Sequence, residues 1–261
     1  MDEALFIRDG AAYVPTASAG GPWSPSHLHG GSPTGLLALL MERASADTGL
    51  RLSRLTVDLL RPVPSAPLSA EISVVRAGRR LRILQGSLLA DGKEVCRASG
   101  LFLEQAGAEV PAFGRFESGG LPLRGDRPVM TLAEVGGDGK GGGWTPQGLH
   151  TTARICVLDG VGGEGRGRVW MSLPIPVVAG EPCSSLVQAA ALSDFGNGIA
   201  QLRLAPDVGS INSDLSVYLH RDPRGDWLGL DARARMQDQG FLLYTSDAAD
   251  EYRDARHAGS A

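Results

Sequence analysis

Two stretches of this chain are built to nearly the same plan. One is Leu55-Thr56-Val57-Asp58-Leu59-Leu60-Arg61-Pro62; the other, 160 residues later, is Leu215-Ser216-Val217-Tyr218-Leu219-His220-Arg221, with Pro223 just after. Each alternates apolar with polar or mixed residues, as a half-buried strand does, and closes on Arg and a strand-breaking Pro. Each follows a helix-like segment and precedes another β-type run. A helix-then-sheet unit used twice is the strongest constraint on the fold.

The first copy reads in order. Phe6 to Pro15 is a short strand or hairpin, and Trp23 to Gly31 is a loop rich in Pro, Gly and His. From Pro33 the spacing turns helical: Leu36 and Leu40, Leu37 and Met41, then Ala44 make one stripe, with Gly49 as a stop. Strands are expected near 53–61, 68–77, 80–90 and 94–104, with turns at Ala77-Gly78-Arg79 and Asp91-Gly92-Lys93. One helix followed by an antiparallel meander is an α+β layout.

Residues 106–147 are rich in Gly and Pro and lack periodicity, so they read as a linker between a first domain, 1–105, and a second, 148–245. The second copy is expected to hold strands near 149–158 and 167–178. A helix opened by Glu181-Pro182 then runs to about Asp194, with strands near 212–220 and 226–236. Phe241 to Thr245 supplies part of one more strand. Residues 246–261 are poor in β-branched residues and read as a disordered tail, so the second unit is expected to lack its last strand. Leu242 to Glu251 also resembles a translated sequencing adaptor, which makes the segment from about Phe241 non-native on this reading.

Composition narrows the class. A net charge of -4 argues against a general nucleic-acid binder. Cys96, Cys156 and Cys183 have neither metal nor disulfide spacing, and no apolar run approaches 18 residues. A soluble cytoplasmic protein without a membrane partner is expected.

Three places can carry chemistry. His29-Gly30-Gly31 precedes the first helix, where free N–H groups and the dipole can polarise a carbonyl oxygen; the same glycines can equally just shape a turn. His29 alone reads as a loop or capping histidine. On the second helix Val187, Ala190, Ala191 and Asp194 share one face, so Asp194 sits on an inward stripe. Burial is expected to raise its pKa, as a general base requires; alternatively it lies wet at the helix end and orders the turn through Asn197. The histidines show no zinc spacing and no metal site is expected. There is no Gly-x-Ser-x-Gly elbow, Walker loop or dinucleotide fingerprint.

Trp23 to Gly31, the Leu55 strand, Leu192-Ser193-Asp194-Phe195-Gly196-Asn197-Gly198 and Asp214 to Arg221 together resemble the double-hotdog acyl-CoA thioesterases, familiar from bacterial fatty-acid metabolism. The resemblance covers both halves. It implies two hotdogs in one chain, each a long helix wrapped by an antiparallel sheet. It also implies hydrolysis of acyl-CoA to acid and coenzyme A without a cofactor. In that family an Asp, a Thr and a Gln hold the attacking water. The Asp corresponds to Asp194, the Thr to Asn212, and no residue here corresponds to the Gln. Substrate contacts are expected at His29, Gly30, Gly31 and Asn197, and a homodimer is the expected assembly. The alternative is a hotdog that binds acyl-CoA without turnover. A hydratase on the same fold ranks last, because it needs a His beside the Asp and the sequence shows none near Asp194.

Overall fold

The computed structural model describes residues 4–107, 109–114, 120–135, 146–203, 210–239 and 241–250, the side chains of 247–250 excepted. The first unit holds β1 (Phe6–Asp9), β2 (Ala12–Pro15), α1 (Gly31–Ala44), β3 (Arg51–Asp58), β4 (Leu68–Ala77), β5 (Leu81–Ala90) and β6 (Lys93–Leu103). Two short helices follow, α2 (Leu132–Val135) and α3 (Leu149–Thr152). The second unit is β7 (Arg154–Gly160), β8 (Arg166–Ser172), α4 (Ser185–Ser193), α5 (Gly196–Ile199), β9 (Asp214–Tyr218), β10 (Leu228–Met236) and β11 (Leu242–Asp250). This is an α+β double hotdog.

Helix α1 is apolar on nearly every side, and its residues from Gly31 to Leu39 are all buried. A helix of that kind has to be enclosed, and β3 to β6 curve round it. The β5–β6 hairpin turns at Asp91 and Gly92, whose φ angles of 47° and 73° fit the Asp-Gly signal.

The strand order is β1-β2-β4-β5-β6-β3-β9 in one sheet and β11-β10-β8-β7 in the other. The two look-alike stretches are therefore hydrogen-bonded to each other. Thr56 lies opposite Ser216, with Leu55 opposite Val217 and Val57 opposite Leu215. The ladder runs on evenly at both ends, through Leu59 N–H to Ser213 O (2.9 Å) and Leu219 N–H to Ser53 O (2.8 Å). Repeat and pairing thus share one pseudo-twofold axis at Thr56 and Ser216. Helices α1 and α4 pack antiparallel across it: Ala191 meets Gly31 and Gly35 at one end, and Ser184 meets Glu42 at the other. The buried apolar residues of both units form one core.

Several boundaries differ from the sequence expectations. The strand expected over 167–178 ends at Ser172, before Pro174 and Pro176. Val178 instead forms an isolated parallel bridge with Phe6 of the first unit, Phe6 N–H reaching Val177 O at 2.8 Å and Ala179 N–H reaching Phe6 O at 2.9 Å. The second helix begins at Ser185, not at Glu181-Pro182, because the Ser184 hydroxyl accepts from Val187 N–H and caps it. The strand expected from 149 is preceded by the one-turn α3. The linker is partly structured: Met130 pairs with Ile155, Trp170 Nε1 donates to Pro122 O at 2.9 Å, and Arg124 lies 4.8 Å over the Trp227 ring. The tail also needs correction. Strand β11 continues to Asp250, pairing Ser246 with Ala232, because antiparallel hydrogen bonds to β10 do not depend on β-branched side chains. The remainder, 251–261, lies outside the described residues.

Candidate active site

Antiparallel packing brings the C-terminal end of α4 onto the N-terminal end of α1. The fit is close. A Cβ on Gly31 would stand 2.1 Å from Ala191 O, and one on Gly30 would stand 2.8 Å from Asp194 Oδ2. These glycines are required by the approach of the second helix, and turn shape is the lesser reason.

Asp194 is the C-cap of α4 and only 8% exposed. Its carboxylate is held by three donors. Gly31 N–H reaches Oδ2 at 3.0 Å, His29 Nδ1 reaches Oδ2 at 2.9 Å, and Asn212 Nδ2 reaches Oδ1 at 2.6 Å. The same Asn212 amide lies 3.4 Å from Asp194 O. Gly31 N is also 3.1 Å from His29 Nδ1. The two geometries compete, and the charged oxygen is the stronger acceptor. Nδ1 must then carry a proton to bridge to Oδ2, which leaves Nε2 as the basic nitrogen of a neutral ring. The His29 ring stacks on Phe195, centroids 4.7 Å apart.

The expected rise in the Asp194 pKa is reversed. Burial pushes the carboxyl up, but the adjacent His29, whose charge acts when its ring is protonated, and the hydrogen bonds from His29, Asn212 and Gly31 outweigh it and hold the pKa below the ordinary value. Asp194 therefore stays ionised, a good holder of hydrogen-bond donors and a weak base. Two further readings change. Gly31 N–H serves the carboxylate, so it is not free for a substrate oxyanion. A histidine does stand beside Asp194, which removes the ground on which the hydratase reading ranked last.

Of the expected site residues, the structure brings together His29, Gly30, Gly31, Asp194 and Asn212. Asn197 lies apart on α5, its Nδ2 donating to Ser210 O at 3.3 Å, where it steadies the chain leading to Asn212. The sequence reading missed His150, which is 3% exposed on α3 with neither ring nitrogen in a well-formed hydrogen bond. Burial and the nearby His29 push its pKa down to about 4, although the Pro146 and Gly20 carbonyls lie close enough to favour a proton. No sequence signal joins His29, His150 and Asp194, because only the fold makes them neighbours. Among the described residues no cluster of His, Cys, Asp and Glu could hold a metal ion, and no helix is long and apolar enough to cross a membrane.

Residues 19–103 match the N-terminal domain, and residues 129–253 the C-terminal domain, of the acyl-CoA thioesterases. The chain belongs to the acyl-CoA thioesterase family. The C-terminal match begins at 129, within the segment read from sequence as linker, in keeping with the pairing of Met130. Comparison with curated proteins gives no match. Among solved structures, a protein described as a candidate thioesterase II from Thermobifida fusca has a TM-score of 0.65 and 16% identity, over 94% of this chain and 91% of that one. A hot dog fold protein of unknown function from Alicyclobacillus acidocaldarius gives 0.63 and 17%, over 93% of each chain. A candidate thioesterase from Novosphingobium aromaticivorans gives 0.62 and 18%, over 94% and 92%. At these identities the likeness is one of fold.

Proposed function

We propose that this acyl-CoA thioesterase family member hydrolyses acyl-CoA to a free acid and coenzyme A, with water activated at the His29–Asp194 pair. The observation that carries this reading is a buried carboxylate kept ionised and bound to Nδ1 of a stacked histidine. Such a carboxylate fixes the ring's tautomer and orientation and stabilises the imidazolium formed when Nε2 takes a proton. Water so activated attacks the thioester carbonyl carbon. The carbon–sulfur bond breaks as the tetrahedral intermediate collapses, and the departing thiolate takes the proton from His29 Nε2 to leave as coenzyme A. On this reading Asp194 acts as a positioning residue rather than as the base expected from the sequence.

Asn212 holds the Oδ1 side of the carboxylate. Its own side-chain carbonyl is left to orient the water, the part a Thr plays in the relatives it resembles. Gly30 leaves room for the Asp194 carboxylate beside His29, and Asn197 acts through the Ser210 backbone. No metal or redox cofactor enters the scheme. The acyl chain lies along the apolar helix–sheet boundary.

The test is thiol release from a panel of short, long and aryl acyl-CoAs by the full chain and by Asp194→Asn and His29→Gln. Hydrolysis abolished by His29→Gln supports the proposal. Turnover indifferent to both substitutions overturns it. Ligand-induced stabilisation without thiol release in the unaltered protein would make it an acyl-CoA binding module instead.

A further inference from the structure

Asn212 reaches Asp194 from an exposed stretch of chain. Its neighbours Ile211, Ser213 and Asp214 are all exposed, Ile211 at 75%. Burial does little to hold such a stretch, so the place of the Asn212 amide depends on the hydrogen bonds that tether the backbone on either side of it. On one side Leu59 N–H donates to Ser213 O at 2.9 Å, in line with the β3–β9 ladder. On the other side two bonds converge on Ser210. Its carbonyl accepts from Asn197 Nδ2 at 3.3 Å, and its hydroxyl lies 2.7 Å from the Tyr244 hydroxyl.

The two bonds to Ser210 come from different places. Asn197 belongs to α5, just after Asp194, so it moves with the helix end that carries the carboxylate. Tyr244 stands on β11 opposite Ala234 of β10, half-buried and packed against the shared core. A side chain so held presents its hydroxyl from a fixed point, and 2.7 Å is the usual length of an O–H···O bond. Apolar body and polar tip are both in use, as a half-buried tyrosine requires. Strand β11 is in this way tied to the site, although its sequence reads as non-native from Phe241.

We propose that Tyr244 is a positioning residue of the site: through Ser210 it fixes the main chain that aims Asn212 at Asp194. The path runs from Tyr244 Oη to Ser210 Oγ, along the backbone to Asn212, and from Asn212 Nδ2 to Asp194 Oδ1 at 2.6 Å. Loss of the tyrosine hydroxyl has two consequences. The Asn212 side-chain carbonyl, which orients the attacking water in the proposed hydrolysis, is held less precisely, so turnover falls while the groups that bind acyl-CoA stay in place. The Asn212 amide also grips Asp194 less firmly. That bond is one of those keeping the carboxyl below its ordinary pKa, so weakening it moves the carboxyl upward. The first consequence rests on the proposed hydrolysis; the second does not.

The test uses the full chain carrying Tyr244→Phe, which removes a single oxygen atom, Ser210→Ala, or both. Thiol release and the carbon-13 titration of the Asp194 carboxyl are read in each. Tyr244→Phe should lower kcat about threefold to tenfold, the scale of one neutral hydrogen bond, and leave KM within about twofold. Ser210→Ala should do the same, and the two together should do no more than either alone. In each variant Asp194 should titrate at higher pH than in the unaltered protein, carrying the acid limb of kcat/KM upward with it. An unmoved Asp194 titration overturns the proposal whatever happens to the melting temperature, since a purely structural tyrosine alters stability alone. Additive losses from the two substitutions overturn it as well. Absence of thiol release from the unaltered protein would sink the hydrolysis reading only, and the titration would then decide the role of Tyr244 by itself.

Discussion

Asp194 stays ionised where burial alone would discharge it, because the fold aims the start of one helix, a histidine and an amide at it. Replacing it with Asn keeps the size but removes the charge that holds His29 Nδ1. Asp194→Asn should lower kcat/KM by about 10²- to 10⁴-fold, with little change in the circular-dichroism spectrum. Gly31→Ala tests the packing beneath the site. With Ala191 O 2.1 Å from the added methyl, the helices must separate. It should cost about 1–3 kcal/mol by denaturant titration. His150 predicts a pH dependence. Its folded pKa of about 4 lies below its ordinary 6.5. The stability tied to its neutral form is therefore whole above pH 6.5 and is lost as pH falls toward 4. His150→Phe should flatten the unfolding free energy across that window by about 2–3 kcal/mol, the full shift reduced by solvent screening of the ring. These residues were unequally legible. Asp194 stood out because an acid on an apolar helix face needs partners. His150 did not, since a histidine in a Gly-rich segment looks the same whether wet or buried.

At the scale of elements, strand alternation and the Asp91-Gly92 turn were readable because they depend on neighbours in sequence. The start of α4 and the length of β11 were not. Ser184 prevails over Pro182 through a side-chain cap, and β11 persists through pairing with β10. The matched strands β3 and β9 give a comparison internal to the chain. Leu55→Ala removes a fully buried side chain and should cost about 2–5 kcal/mol. Leu215→Ala, at a half-buried position, should cost well under that. Equal losses in parallel urea melts would contradict the asymmetry of the two units.

The whole molecule is two units sharing one core, joined by β3–β9 and by α1 against α4. Calorimetry should therefore show a single unfolding transition for the described fold; two transitions separated by more than a few degrees would show that the halves are independent. The duplication, the α+β class and one acid of interest were determined by the sequence itself, because repeat, period and burial preference are properties of local order along the chain. Tertiary structure alone decided that the repeated strands pair with each other, that His29 meets Asp194 across 165 positions, and that the acid's pKa falls. Those outcomes depend on which dipoles and donors surround a charge, and the surroundings exist only once distant segments are packed together.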